Sequence, residues 1–391
     1  MRYLTVLFLL VATAIYATDN YPKNPDIDVQ HYTFDITLSD DTDEIKCNTT
    51  IEILFRKKDV RQVRLDLTNV SNGKGMTVAA VSQNGKNLSY THTKNELLIT
   101  LANPSQAGEH IQITVTYSGI PATGLHIKPN RQNERTFFSD NWPDLTRNWL
   151  PVVDHVAEKA TCEFIVTAPV RYQVVCNGLL QEETNLNATQ KRTHWKQSVP
   201  ISPWLYVLGV AEFAVQYVDW FEGKSIQTWV FHQERDAGFA DFAKPTKEVL
   251  EFYSSYVGPF AYEKLANIQA SSVSGGMESA SAILYNEKSV VGDGNFRWKK
   301  VVVHEIAHQW FGCAVTESDW DDVWLSEGFA TYFTALFLEH ANGRDAFVKE
   351  MQEARKTVFN FYKDNPTHTV VHNNLSDMSK VTSSHTYQKG A

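Results

Sequence analysis

His304, Glu305 and His308 fall within little more than one helical turn of the run VVVHEIAHQWFG, and a second carboxylate, Glu327, follows His308 by nineteen residues. At about 100° per residue, side chains four apart share a helix face, so both imidazoles can turn a nitrogen toward one ion while Glu305 is rotated away from them. A third ligand has to come from another element. The run ESDWDDVWLSEGFATYFTALFLEH reads as a turn followed by a helix, with Ser326 as N-cap and Glu327 in the first turn. Two histidines, one carboxylate and a fourth position left to water describe a catalytic centre for one zinc ion, and the chemistry is metal-assisted hydrolysis. The surrounding Val301, Val302, Val303, Ile306, Ala307, Trp310 and Phe311 make the first helix a buried one, with Gly312 as its C-terminal stop.

Some thirty residues upstream stands SSVSGGMESASAILY, in which Gly275, Gly276, Met277 and Glu278 separate two apolar stretches. Paired glycines let backbone groups approach a ligand closely, and the acid behind them could hold a cation. A plain Gly-Gly turn between strands explains the same residues.

Together these motifs resemble the gluzincin zinc aminopeptidases, the family of aminopeptidase N and the leukotriene hydrolase branch, which carries G-x-M-E-N upstream of HExxH-x18-E. The resemblance extends over HQERDAGFADFAKPTKEVLEFYSSYVGPFAYEKLANIQ, over the zinc core HQWFGCAVTESDWDDVWLSEGFA, over TYQKGA, and over FFSDNWPDLTRNWLPVVDHVAEKATCEFIVTAP in the amino-terminal half. It implies that His304, His308 and Glu327 are the zinc ligands, that Glu305 is the general base, and that the hydroxyl of Tyr387 stabilises the oxyanion. It further implies that Glu278 pairs with the free α-amino group of the substrate, so that only the first peptide bond reaches the metal, while Gly275 and Gly276 offer main-chain groups to the substrate backbone. Ser279 departs from the family's asparagine. A second amine-binding residue comes from the amino-terminal domain in many relatives, and Asp140 and Asn141 are the nearest candidates here. Asp322 matches an acidic position of the family, either orienting a ligand histidine or lying in a solvated turn.

The elements that must position these residues follow from the pattern. HYTFDITLSD, IKCNTTIEILFR, VRLDLTNV, MTVAAVSQNG, ELLITL and HIQITVTYSG are short runs rich in β-branched and aromatic residues between turn residues, which predicts an all-β first half. KATCEFIVTAPVRYQVVCNGLL reads as a further strand pair about Ala168-Pro169, placing Cys162 and Cys176 where a disulfide could join them. Cys313, directly behind the zinc helix, reads as packing. Beyond GVAEFAVQYVDW the period lengthens, and FADFAKPTKEVLEFYSSYVG, NFRWKKVVVHEIAHQWFG and EGFATYFTALFLEHANG read as helices, with the boundary placed near Ala214. The expected organisation is a leader over 1–17, an all-β domain over 18–214 that the resemblance makes saddle-like, and a thermolysin-like α+β catalytic domain over 215–391, expected to be incomplete at its C-terminus because relatives continue beyond the tyrosine.

The leader expectation rests on MRYLTVLFLLVATAIYATDN, where Arg2 precedes an apolar run ending in small residues. That is the pattern of a secretory signal peptide, which predicts a secreted, periplasmic or extracellular protein; an uncleaved membrane anchor is the other reading. With 45 acidic against 36 basic residues the chain carries a net charge of −9, which disfavours nucleic acid as a partner. The expected partner is a peptide with a free N-terminus. Two other functions stay open on the sequence: a non-catalytic peptide-binding protein on the same fold, and an epoxide hydrolase using the same zinc.

Overall fold

The computed structural model describes residues 23–292, 298–371 and 378–391, so the expected leader lies outside the described residues. Ile27–Thr37 and Ile45–Phe55 each send alternate side chains inward and pair antiparallel, Phe34 lying opposite Thr49. They form the middle of an eight-stranded sheet in which Ile27–Thr37 also pairs in parallel with Ala160–Pro169. A four-stranded sheet (Leu125–Pro129, Arg135–Ser139, Gln173–Cys176, Leu208–Ala211) and a three-stranded one (Gln62–Asp66, Tyr90–Thr93, Glu96–Thr100) complete the β half. The core closes where Phe34 and Phe164 of the large sheet meet the buried Tyr206, at ring separations of 5.5 and 6.2 Å.

One expected pairing is absent. Ala160–Pro169 and Gln173–Cys176 do not form a hairpin, because the first already has both edges filled, by Ile27–Thr37 and Gln190–Ile201, and the second pairs in the other sheet with Leu208–Ala211. Cys162 and Cys176 are accordingly buried free thiols rather than a disulfide.

A five-stranded sheet begins at Phe213 and comprises Phe213–Phe221, Lys224–Phe231, Lys264–Ala270, Ala282–Asn286 and a short edge strand, Gly276–Met277. Its middle strands are parallel, and Lys264–Ala270 is buried at every residue, as expected of a parallel strand covered on both faces. The crossover between the first two parallel strands carries helix α1 (Arg235–Tyr256). Helices α2 (Lys299–Ala307), α3 (Trp324–Asn342), α4 (Arg344–Asp364) and α5 (Ser384–Gly390) follow. Helix α2 packs between α1 and α3, and α5 lies in the angle between α3 and α4. Among the described residues no helix is long and apolar enough to cross a membrane.

The two halves meet through specific contacts. Trp142 and Trp204 of the β half pack edge to face on Trp320, with centroids 4.9 and 5.7 Å away. The Lys159 ammonium donates to the carbonyls of Cys313 and Ala314 at 3.0 and 2.9 Å, just behind the zinc motif. Asn177 donates to the carbonyl of Ala280 at 2.7 Å.

Candidate metal centre and active site

Helix α2 ends at Ala307, five residues before Gly312, and His308 is its C-cap. The backbone of His308 is still helical (φ −58°, ψ −24°), so the two histidines keep a common face. Glu327 arrives from the first turn of α3. The three coordinating atoms form a near-equilateral triangle: His304 Nε2 to His308 Nε2 is 3.0 Å, and Glu327 Oε2 lies 3.3 and 3.2 Å from them. Ligands at zinc–nitrogen and zinc–oxygen bond lengths on a tetrahedron stand about 3.3 Å apart, so the triangle fits one zinc ion without rearrangement.

Charge within the cluster agrees with the geometry. Burial by itself would lower the pKa of His308, but the carboxylates of Glu278 and Glu327 outweigh it and hold the imidazole up at about 10. For Glu327 burial is outweighed by His308 and His304, which bring the carboxyl down to about 2. Buried carboxylates gathered here demand a positive charge at their centre, which a bound cation supplies.

Ser326 is not the N-cap of α3, which starts two residues earlier at Trp324 after Val323 and has no side-chain cap. Its hydroxyl instead lies 3.1 Å from His308 Nδ1, and the same ring nitrogen is 3.0 Å from the carbonyl of Phe311. That carbonyl can only accept, so Nδ1 carries the proton and Nε2 is left free to coordinate. Asp322 does not reach a ligand histidine; it accepts a hydrogen bond from the Trp324 indole at 3.2 Å.

Glu305 is buried, and it approaches the edge strand so closely that a Cβ on Gly276 would stand 2.2 Å from its Oε1. Glycine at 276 is therefore the condition for this carboxylate's position. Burial, and next the charge of Glu278, raise its proton affinity well above that of an ordinary glutamate. Glu278 follows the edge strand, with carboxylate oxygens close to both Glu305 and a nitrogen of His308. Burial is also the main cause of its pKa of about 7. Met277 is buried against the same sheet, while a Cβ on Gly275 would meet nothing within 4 Å.

Several residues that hold the site together carry no sequence signal. Gln309, next to a ligand, donates to the carbonyl of Glu278 at 2.9 Å and accepts from the backbone N–H of Ser281 at 2.9 Å. Cys313, expected to be mere packing, adds its thiol to the Glu278 carbonyl at 3.1 Å. The two side chains tie the end of α2 to the strand bearing Glu278. Of the two amine-site candidates, Asn141 is committed elsewhere, donating to Tyr206 O at 2.8 Å and accepting from Trp149 Nε1 at 2.9 Å. Asp140 is the one whose charge bears on Glu278, and burial lifts its own pKa to about 6.

Tyr387 lies on α5, its ring stacked on His304 at 6.0 Å. Burial and then the Glu327 carboxylate raise its pKa far above the usual phenol range, so the hydroxyl stays protonated and able to donate. A capping box between Ser383 and Thr386 starts this short helix. Its other end rests on α3, where a Cβ on Gly328 would come within 2.5 Å of the Gly390 backbone. A cavity of about 390 Å³ opens beside the metal triangle, lined by Lys300, Val301, Glu305, Thr334, Met351 and Tyr387.

A β part and a part carrying a His-His-Glu metal triangle are joined here, and known proteins share both parts. Residues 28–205 match the Peptidase M1 N-terminal domain and residues 243–391 match the Peptidase family M1 domain. The chain belongs to peptidase family M1, and its cofactor site is one for zinc. It is 32% identical over 213 residues to glutamyl aminopeptidase of Rattus norvegicus, a match covering 52% of this chain and 22% of that protein. Probable aminopeptidase 1 of Saccharolobus solfataricus is 32% identical over 203 residues, covering 50% of this chain and 26% of that one. The chain thus matches about a quarter or less of the length of these curated relatives. Among solved structures, an M1 zinc metallopeptidase of Deinococcus radiodurans superposes with a TM-score of 0.76 at 25% identity, over 93% of this chain and 80% of that one. The yeast LTA4 hydrolase superposes with a TM-score of 0.79 at 18% identity, over 93% of this chain and 58% of that one, a likeness of fold.

Proposed function

We propose that this chain is the catalytic part of a zinc aminopeptidase that removes the first residue of peptides with a free N-terminus. The observation that carries this is Glu278: a buried carboxylate held beside Glu305 and His308 by Gln309 and Cys313, just past a strand that ends its sheet and has no further strand beside it among the described residues. A peptide laid along Gly275 and Gly276 can bond to that edge through its backbone, and its α-ammonium then stops at Glu278, with Asp140 as the second acceptor. The charged pair fixes how far the substrate enters. Only the first peptide bond comes level with Glu305.

His304, His308 and Glu327 would hold the zinc, which when bound polarises a water and the scissile carbonyl. Glu305 takes a proton from the attacking water and delivers it to the departing amine, a transfer suited to a carboxylate of raised proton affinity. The Tyr387 hydroxyl donates to the oxygen on which negative charge develops. The non-catalytic reading leaves the conjunction of Glu278, Glu305 and Tyr387 without a purpose. We read the chain as a β domain over 18–214 and a catalytic domain over 215–391 behind a cleaved leader, and hence as acting outside the cytoplasm.

The test is product analysis by mass spectrometry after zinc-loaded protein meets a free-amine hexapeptide. Stepwise loss of single residues from the N-terminus is expected. Internal cleavage as the first event would overturn the proposal.

A further inference from the structure

Helix α5 carries the oxyanion donor Tyr387, yet it is only seven residues long. A helix that short has little stability of its own and takes its place from what it packs on. Its capping box is internal, and the close approach of Gly390 to Gly328 fixes only its far end on α3. The near end is held by a residue the chemistry above does not use. His385 is buried where α5 meets the last turn of α4. Its imidazole lies flat on the ring of Phe361, with centroids 4.9 Å apart and planes at 21°. The rings of Tyr362 and His368 stand edge-on to it at 5.0 and 4.9 Å.

Hydrogen bonds give this cage a direction. His385 Nε2 is 2.9 Å from the Tyr362 hydroxyl, whose oxygen is 3.1 Å from the carbonyl of His368. The carbonyl can only accept, so the hydroxyl proton goes there and the Nε2 proton of His385 is donated to the Tyr362 oxygen. One side chain thereby ties α5 to α4 and to the turn that follows it. Residues two apart on a helix point about 200° from one another, so His385 and Tyr387 face opposite sides. The first reaches α4, and the second lies on His304. Any drift of α5 away from α4 is therefore passed to the Tyr387 hydroxyl.

We propose that His385 is a positioning residue for hydrolysis: its bond to Tyr362 seats α5 so that the Tyr387 hydroxyl meets the oxygen on which charge develops, an inference that rests on the aminopeptidase reading. It touches no substrate itself. Because the hydroxyl acts only in the transition state, loosening α5 lowers kcat and leaves substrate affinity and zinc content alone.

Kinetics on the zinc-loaded protein with leucyl coumarin amide test this in H385L, H385Q, Y362F and the double variant H385L/Y362F. H385L should lower kcat by about tenfold or more, with KM within about twofold and zinc retained. Y362F removes a single oxygen from a half-buried ring, which leaves folding intact, and should lose as much. The double variant should be no worse than either single one, since both break the same bond, and H385Q, which keeps an N–H donor, should recover most of the rate. A second readout needs no turnover. By calorimetry, the aminophosphonate analogue of leucine, whose tetrahedral anion accepts from Tyr387, should bind Y362F about tenfold more weakly than wild type, while L-leucinamide binds both alike. Unchanged kcat in Y362F, losses that multiply in the double variant, or a parallel loss of leucinamide affinity would refute the role. Turnover of N-blocked substrates in place of free-amine ones would count against the aminopeptidase reading alone, because the same kcat ratios can be read on them.

Discussion

Gly276 and Glu305 sit against each other so tightly that one methyl group cannot be added without moving the carboxylate. In Gly276→Ala the added carbon displaces Glu305 while the three metal ligands stay in place. A misplacement on the ångström scale costs about a hundredfold in rate. The variant should therefore retain zinc by elemental analysis and lose kcat by about that factor. At this scale the sequence was informative wherever a function is local. HExxH is legible because three side chains within five consecutive residues decide it. Ser326 was misassigned because a serine ahead of a helical run has the look of a cap, and only the approach of α3 to α2 reveals its contact with His308. Gln309 and Cys313 gave no signal, since their partner, the Glu278 carbonyl, lies some thirty residues away in sequence.

Short elements do much of the positioning. Helix α5 is held on α3 by backbone contact at Gly328 and Gly390, and it carries Tyr387 onto the face of His304. Gly328→Ala should push α5 outward. We expect kcat to fall tenfold or more with KM nearly unchanged, as for a donor that acts only in the transition state. The strand Lys264–Ala270 makes a different prediction. Lys264 is fully buried, donates to the Cys176 carbonyl at 2.8 Å and has its pKa brought down to about 7 by burial. An unfolded lysine titrates near 10.4, so between pH 7 and about 10 the unfolded chain binds a proton that the folded chain does not. Stability from this residue thus rises with pH across that window, by up to about 1.4 kcal/mol per unit, and is lost as pH falls toward 7. Lys264→Met should remove the slope, read as the difference between wild-type and variant urea midpoints at pH 7 and 8.5. Strand alternation made the β half readable, whereas the partner of each strand was not. Ala160–Pro169 and Gln173–Cys176 look like a hairpin in sequence and belong to separate sheets because distant strands fill the edges first.

Across the whole molecule, the β half is part of the site. Asp140 brings a charge to Glu278, Lys159 braces the carbonyls behind the zinc motif, and three tryptophans seal the seam. The later appearance of helices was legible from the change in hydrophobic period, but the strands Lys224–Phe231, Lys264–Ala270 and Ala282–Asn286 lie past that change, and the joining residues come from loops with no period to read. The central claim is that a buried carboxylate at Glu278 confines hydrolysis to the first peptide bond of free-amine substrates. Its most direct measurement is the rate on aminoacyl coumarin amides and on their N-acetylated counterparts, with Glu305→Gln as the chemical blank. The account predicts cleavage of the free-amine series, at least a hundredfold less of the acetylated series, and neither in Glu305→Gln with zinc still bound. Equal rates on free and acetylated substrates, or full activity in Glu305→Gln, would contradict it.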